Sequence, residues 1–549
     1  MPQKINSVLF ADMLRGGAAS LYKDKSVIND LNVFPIPDGD TGDNMYMTLK
    51  AGASEIAGKT GTLAEMASAA SSGMLLGARG NSGVILSRIF AGLAKGLEGL
   101  NEAGAAAFAS AMSSAVKEAY GAIPVPVEGT IITVLREGAS AADAGGSLEH
   151  YFETLLEAMQ TSLDNTPEKL AVLKEAGVVD SGGAGLLCIF RGMDQALSGK
   201  VQSEEIAEDV HAAPAIDLSK FTEDSTLEYG YCTEFLLRLT RAKTDIEHFD
   251  QKELIDWLET HGESVVSFRD GTIVKVHVHT FNPGEILNHC QNYGEFLTLK
   301  IENMALQHHQ ESNKGNASFK KPKQKYGIAT VAAGEGLIEA FKQIGADVVI
   351  PGGQTMNPST QDFIDAFGHI NADTILVFPN NSNIRMAAQQ AADLYKDADV
   401  RVLPSSSIGE GYYAIASADR DCDNADEVVA GATAIMEAVT TGMISRAIRD
   451  AEATDAAVGE SVTVVKGDFV GYSGKQILCD SASRNQAAAL LAEKMGASGR
   501  DVMLVFTGED VPAQEAAELQ QTLTARYPNL EIMFNNGLQP IYDYIFVLC

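Results

Sequence analysis

Over its first 200 residues the chain carries helical periodicity and never sustains the alternation of a strand. Leu63 to Leu76 reads LAEMASAASSGMLL, with small residues placed where helices can approach closely. Glu102 to Tyr120 and Leu148 to Leu163 also read as helices. A region of this length without strands has to bury its apolar stripes helix against helix. The sequence therefore predicts an all-α domain over residues 1–200.

The texture then changes twice. Residues 201–219 are acidic and contain Ala and Pro, as a linker does. Beyond them Tyr229 to Thr240 and Thr272 to Thr280 alternate and are rich in β-branched or aromatic residues, with a helical Asp250 to His261 between them. This reads as a small α+β domain over 220–310, closed by the polar stretch Gln310 to Lys325. From Tyr326 onward the runs YGIATVAAG, ADVVIPG, ADTILVFPN and DVRVLPS read as buried strands, each followed by a helix such as Asn383 to Tyr395. That rhythm implies βαβ units and a parallel sheet in an α/β domain over 325–549. Val462 to Tyr472, Val502 to Thr507 and Leu530 to Phe534 suggest a second group of strands.

Composition narrows the class of function. The formal net charge is −32, so most of the surface repels nucleic acid and anionic lipid. The basic run Lys320-Lys321-Pro322-Lys323-Gln324-Lys325 reads as a solvated linker. No stretch is long and apolar enough for a signal peptide or a membrane-spanning helix. Cysteines 188, 232, 290, 422, 479 and 549 are scattered without CxxC pairs. These features predict reduced thiols and a cytoplasmic location.

Chemistry concentrates in glycine turns of the helical region. Asn32 to Met45 reads NVFPIPDGDTGDNM, with the carboxylates of Asp38 and Asp40 two residues apart on a turn made by Pro37, Gly39 and Gly42. Paired hard oxygen ligands suit magnesium, and the glycines let backbone amides approach an anion. Taken alone, the same residues serve equally as an Asp-rich turn capping a helix that begins near Asp43. Three further turns follow, each opening a helical run: GARGNSG (77–83), Glu128-Gly129-Thr130, and Asp180-Ser181-Gly182-Gly183-Ala184-Gly185. Helix starts of this kind bind phosphate through free amides and the helix dipole. No Walker A sequence occurs.

These four segments, in this order and spacing, resemble the nucleotide-binding domain of the dihydroxyacetone kinase L-subunit family. More closely they resemble its version in the ATP-binding subunit of bacterial fatty acid kinase. The three-region organisation extends the resemblance over essentially the whole chain. It implies an eight-helix antiparallel barrel holding ATP at one end through two Mg2+ ions. By the resemblance, Asp38 and Asp40 are magnesium ligands, with Asn32 near the place of another acidic ligand. Thr41, Gly42 and Asn44 line the phosphate site, Asn81, Ser82 and Gly83 contact phosphate, Thr130 lies near the nucleotide, and Asp180, Ser181, Gly182 and Gly183 close over it. Asp43 departs from the family, where Thr is usual, and reads either as a helix cap, the favoured role, or as a direct metal contact. Arg79 reads either as an added positive charge for the transition state or as a structural arginine.

In the middle region Val276-His277-Val278-His279 puts two imidazoles on one face of a strand, and Cys232 lies on another predicted strand. Cys with two His is acceptable zinc ligation, although an HxH pair on a strand is also common without metal. The resemblance adds zinc (Zn2+) at Cys232, His277 and His279, with Glu234 a candidate fourth ligand. The C-terminal domain is similar to the DegV-like, lipid-binding fold. Its GGQTMNPST (352–360) and FPNNSNI (378–384) segments follow strands, where ligand loops gather in open α/β sheets. It reads as a docking surface, a lipid site or a scaffold.

The function that follows is a kinase in lipid metabolism and phospholipid synthesis. It would phosphorylate a fatty acid presented by a separate fatty-acid-carrying DegV-like binding protein, giving an acyl-phosphate, with a homodimer as a candidate assembly. The alternatives are a dihydroxyacetone-type kinase component, whose companion domain with a covalent histidine is absent from the sequence, and a nucleotide- and metal-sensing scaffold without turnover.

Overall fold

The computed structural model describes residues 3–32, 39–123, 125–199, 231–246, 249, 251–270, 272–303, 323–353, 356–454 and 461–549. Both linker readings, 201–219 and most of 310–325, lie outside the described residues, as does Asp38. Contacts divide the chain into two compact units: residues 1–207 with 321–549, and residues 208–320.

In the first unit the N-terminal part is helical: α1 (Ser7–Asn29), α2 (Thr41–Glu55), α3 (Leu63–Leu76), α4 (Gly80–Gly96), α5 (Ala105–Gly121), α6 (Ile131–Ala141), α7 (Leu148–Asp164), the short α8 (Thr166–Lys169) and α9 (Ala171–Ala176), and α10 (Ser181–Leu197). Each helix from α1 to α7 packs on the next, and α10 returns to lie against α1, α2, α6 and α7. Phe108, Tyr151 and Phe152 fill the centre with ring centroids 5.4–6.0 Å apart. At the α1–α10 crossing the backbones nearly touch, because a Cβ on Gly192 would lie 2.3 Å from the Gly16 carbonyl oxygen. Glycine is what permits that approach.

The C-terminal part of the same unit holds β5 (Gln324–Ala332), β6 (Val348–Pro351), β7 (Ala372–Phe378) and β8 (Asp399–Val402) in a parallel sheet of order β6-β5-β7-β8. The expected parallel rhythm is realised here. The later strands, however, form a separate six-stranded sheet. They are β9 (Thr440–Arg446), β10 (Ala451–Thr454), β11 (Ser461–Val464), β12 (Phe469–Ser473), β13 (Gln476–Ser481), β14 (Val502–Gly508), β15 (Glu531–Gln539) and β16 (Tyr542–Leu548), with β10 and β11 paired apart. The order β13-β12-β9-β16-β14-β15 is antiparallel except between β14 and β15. Helices 385–394 and 360–368 pack on the parallel sheet through Phe363, Phe367, Ala387 and Ala391. Ala78 and Val84 of the helical part join that same apolar cluster.

The second unit is an antiparallel sheet of order β2-β3-β1-β4, built from β1 (Tyr231–Leu239), β2 (Glu263–Asp270), β3 (Ile273–Thr280) and β4 (Gly294–Asn303). Helices 251–259 and 283–290 contribute Leu254, Leu258, Ile286 and Cys290 to a core with Phe235, Leu237, Val274, Val276 and Val278. Trp257 is stacked between His261 and His289, at centroid distances of 3.8 and 3.6 Å. None of the described helices is long and apolar enough to cross a membrane.

The Gly16–Gly192 contact predicts that Gly192→Val destabilises the helical domain by about 2–3 kcal/mol, since neither backbone can retreat from an inserted branched side chain. A urea titration followed by helical circular dichroism measures this. An unchanged midpoint would show that the crossing has slack.

Candidate functional site

α2, α4, α6 and α10 all begin directly after the glycine turns, and their starts converge. Ser181 Oγ donates to Thr41 Oγ1 (3.2 Å), which donates to Asn32 Oδ1 (3.0 Å). The Arg79 amide donates to Thr48 Oγ1 on α2 (3.3 Å), and a Cβ on Gly182 would lie 3.2 Å from Cβ of Ile131. Gly80, at φ +58°, sits so close to Asn44 that a Cβ would meet its Nδ2 at 2.4 Å. Only glycine fits that turn.

Three helix starts at this end contrast with those of α1, α3 and α7, although α5, preceded by Gly104, also lacks a side-chain cap. Asn6, Thr62 and Ser147 cap α1, α3 and α7 with their side chains, and Thr62 with Glu65 forms a full capping box. The residues preceding α2, α4 and α6 are Asp40, Arg79 and Thr130, and none makes a side-chain cap bond. Thr130 Oγ1 turns back to the Val127 carbonyl instead (2.8 Å). First-turn amides and the positive ends of several dipoles therefore gather in one place, which is the electrostatic requirement for an anion.

α10 differs, because Asp180 accepts from Gly183 N at 2.7 Å. Asp180 is partly reached by solvent but closely surrounded by protein. Burial pushes the pKa of its carboxyl up to about 6, against the opposing bonds from the Gly183 and Ile131 amides.

Asp40 is 8% exposed. Its carboxylate accepts from Nδ2 of Asn357 and, at 3.2 and 3.3 Å, from Nδ2 of Asn383. Both asparagines belong to the C-terminal part, in loops that follow β6 and β7. Asn381 Oδ1 accepts from Asn383 N (2.8 Å) and so sets the second loop, while Ser359 and Asp362 cap helix 360–368 reciprocally beside the first. Asn383 Oδ1 in turn accepts from Asn81 N (3.0 Å). Arg79 donates to the Asn357 carbonyl (2.6 Å) and lies 3.5 Å from the Asp362 carboxylate. Arg79 is thus built into the contact between the two parts of this unit.

Gly42 N donates to Asn29 Oδ1 (2.7 Å), a partner that no motif of the sequence announces. Asp43 differs from its expected role as a cap, since α2 already begins at Thr41. Its carboxylate accepts from Asn29 Nδ2 (2.6 Å) and pairs with Lys25 (2.9 Å), tying α2 to the end of α1. Ser82 is half-buried in the first turn of α4, and a Cβ on the buried Gly83 would meet Thr48 Oγ1 at 2.4 Å.

The residues fit a magnesium–nucleotide by three signs. A buried carboxylate stands among uncapped helix starts. Gly80 and Gly83 hold the first turn of α4 close against Asn44 and Thr48 of α2, with no room for side chains. Buried Asn44 Nδ2 and Asn81 Oδ1 have no hydrogen-bond partner. No cluster of three or more metal-ligating side chains occurs among the described residues. The side chains of Cys232, Glu234, His277 and His279 lie outside the described residues. Their backbone positions pair Cys232 with His279 and Glu234 with His277 across β1 and β3. Pleating puts these four positions on the face opposite buried Thr233, Phe235, Val276 and Val278.

Three family models match. Residues 35–195 match the DAK2 domain. Residues 228–311 match the middle domain, and 327–548 the C-terminal domain, of FakA-like fatty acid kinase proteins. The Bacillus subtilis protein YloV is 39% identical over 550 residues, covering 98% of both chains. Among solved structures, the C. freundii dihydroxyacetone kinase with AMP-PNP and Mg2+ aligns at TM-score 0.28 and 21% identity, over 35% of this chain and 34% of that one. The Streptococcus pneumoniae Fatty Acid Kinase B3 protein loaded with linoleic acid aligns at TM-score 0.29 and 15% identity, over 41% of this chain and 99% of that one.

Asp180 makes a pH prediction. Its folded pKa is raised, so the folded state holds the proton more tightly, and stability from this group falls as pH rises from about 4 to about 6. Asp180→Asn, which can still cap α10, should flatten that slope and gain up to roughly 3 kcal/mol at neutral pH. Urea midpoints of both proteins at pH 4 and pH 7 test it, and parallel pH dependences would refute it.

Proposed function

Because the chain belongs to the FakA-like fatty acid kinase family and carries its kinase-family domain, we propose that it is an ATP-dependent kinase subunit whose acceptor is a fatty-acid carboxylate. The observation that carries this reading is the convergence of uncapped helix starts around the buried carboxylate of Asp40.

Asp38 and Asp40 would hold two magnesium ions. Thr41, Gly42 and Asn44 would line the phosphate site, and Asn81, Ser82 and Gly83 would contact phosphate. Thr130 and the Asp180–Gly183 turn would close the nucleotide side. Magnesium–ATP, when bound, supplies the phosphoryl group and the cationic charge that such a transfer needs. The chain's own part is positioning and charge complementarity. A carboxylate acceptor is ionised at neutral pH and needs no general base, in keeping with the absence of histidine from these four turns.

The acceptor reaches the site on a partner, a DegV-like fatty-acid-binding protein, and the product is an acyl-phosphate. In the middle unit, Cys232, His277 and His279 would ligate zinc. The register that sets Cys232 opposite His279, with His277 two residues away on the same face, supports this.

Asp40→Ala should reduce carrier- and fatty-acid-dependent ATP turnover by about 100-fold or more, the scale of losing a principal charge-stabilising group. Full turnover in that variant would make the kinase assignment wrong. For the zinc site, elemental analysis of the purified chain should give one zinc per chain, lost in His277→Ala and in His279→Ala. Equal metal content in all three proteins would remove the site.

A further inference from the structure

The groups expected to receive magnesium and phosphate are occupied in this structure by the C-terminal part of the same chain. Asn357 and Asn383 turn amide N–H groups onto both oxygens of Asp40. A magnesium ion would take lone pairs of the same oxygens, so it competes with these three N–H contacts for the Asp40 carboxylate. Asn383 Oδ1 accepts from the Asn81 amide, in the first turn of α4, where a phosphate oxygen would be held. The Arg79 guanidinium is engaged by the Asn357 carbonyl and Asp362. The space above Gly80 is filled as well, since a Cβ there would come within 3.1 Å of Asn357 Nδ2.

The imitation is one of polarity. The asparagine amides present partial positive charge to Asp40 and partial negative charge to the α4 amide, the two signs a magnesium–phosphate pair would present. Around this polar centre the contact is a fitted interface. Thr360 N donates to the Ala78 carbonyl (3.1 Å), Gln390 Nε2 donates to the Leu75 carbonyl (2.7 Å), and Ala78 and Val84 enter the apolar cluster of Phe363 and Ala387. Yet it is incompletely satisfied. Asn44 Nδ2, Asn81 Oδ1 and Asn357 Oδ1 are buried without partners, a defect that favours displacement by a ligand able to meet them.

Resting on the nucleotide-site reading above, we infer that the C-terminal domain is a built-in competitor of magnesium–nucleotide. Docked, it closes the phosphate site through Asn357 and Asn383. Nucleotide binding releases it and uncovers the loops after β6 and β7. Nucleotide loading is thereby coupled to exposure of a C-terminal surface.

The test uses the full chain with Mg2+ and AMP-PNP. Titration calorimetry should show the Asn357→Ala/Asn383→Ala double variant binding about ten times more tightly than wild type, a change of about 1.4 kcal/mol. In wild type, hydrogen exchange of the segment containing Thr360, whose amide donates to Ala78, should accelerate at saturating Mg2+–AMP-PNP. Equal or weaker binding by the variant would overturn the inference, weaker binding meaning that the asparagines belong to the nucleotide's own site. Unchanged exchange at Thr360 in nucleotide-saturated wild type would overturn it independently. Failure of both proteins to bind Mg2+–AMP-PNP would remove the nucleotide reading itself, and the competition with it.

Discussion

A carboxylate at the buried mouth of several helix N-termini cannot stand without donors, and meeting that demand at Asp40 organises the first unit. Removing an ionised group from water costs several kcal/mol unless hydrogen bonds replace its hydration. At Asp40 the replacement comes from a different part of the chain, from Asn357, 317 residues away, and Asn383, 343 residues away. Several local features keep that mouth clear of caps from its own flanking residues. Asp40, Arg79 and Thr130 leave α2, α4 and α6 uncapped, Gly80 and Gly83 withhold side chains, and Asn29 anchors the Gly42 amide from the end of α1. The starts of α1, α3 and α7, by contrast, are closed by their own Asn6, Thr62 and Ser147.

Much of the helical domain is legible in sequence because its signals are local. Leu63–Leu76 is bounded by a Thr-x-x-Glu capping box, and Leu148–Asp164 by Ser147. The four glycine turns are visible for the same reason, each being a short run with a short-range consequence. Asn357 and Asn383 are legible only as members of polar loops that follow strands. Their meeting with Asp40 depends on a packing of domains across more than 300 residues, to which no periodicity refers. Asn29 escapes notice differently. It is the last residue of α1, where an asparagine ordinarily reads only as a helix end, and it gains its role because α2 starts beside it.

The two C-terminal sheets show where strand reading succeeds and where it stops. β5 and β7 are apolar runs, each succeeded by a helix, and such runs identify themselves as parallel strands. β16 is also buried almost throughout, but its neighbours on both sides are antiparallel and distant in the chain. The six-stranded sheet thus arises from pairings that the βαβ rhythm does not announce. The middle unit is simpler. Alternation along β1 and β3 fixes one face as core, and the opposite face is then determined by the pleat.

That unit also holds the chain's single tryptophan. Trp257 is held face to face between the rings of His261 and His289, on a helix that belongs to the sheet's core side. Indole emission from this protein is consequently a one-site signal. It originates in the unit that lies in sequence between the two halves of the other, so it reports on the surroundings of one helix of the middle region. A label-free optical readout of the middle region is written into the chain by the placement of one aromatic residue.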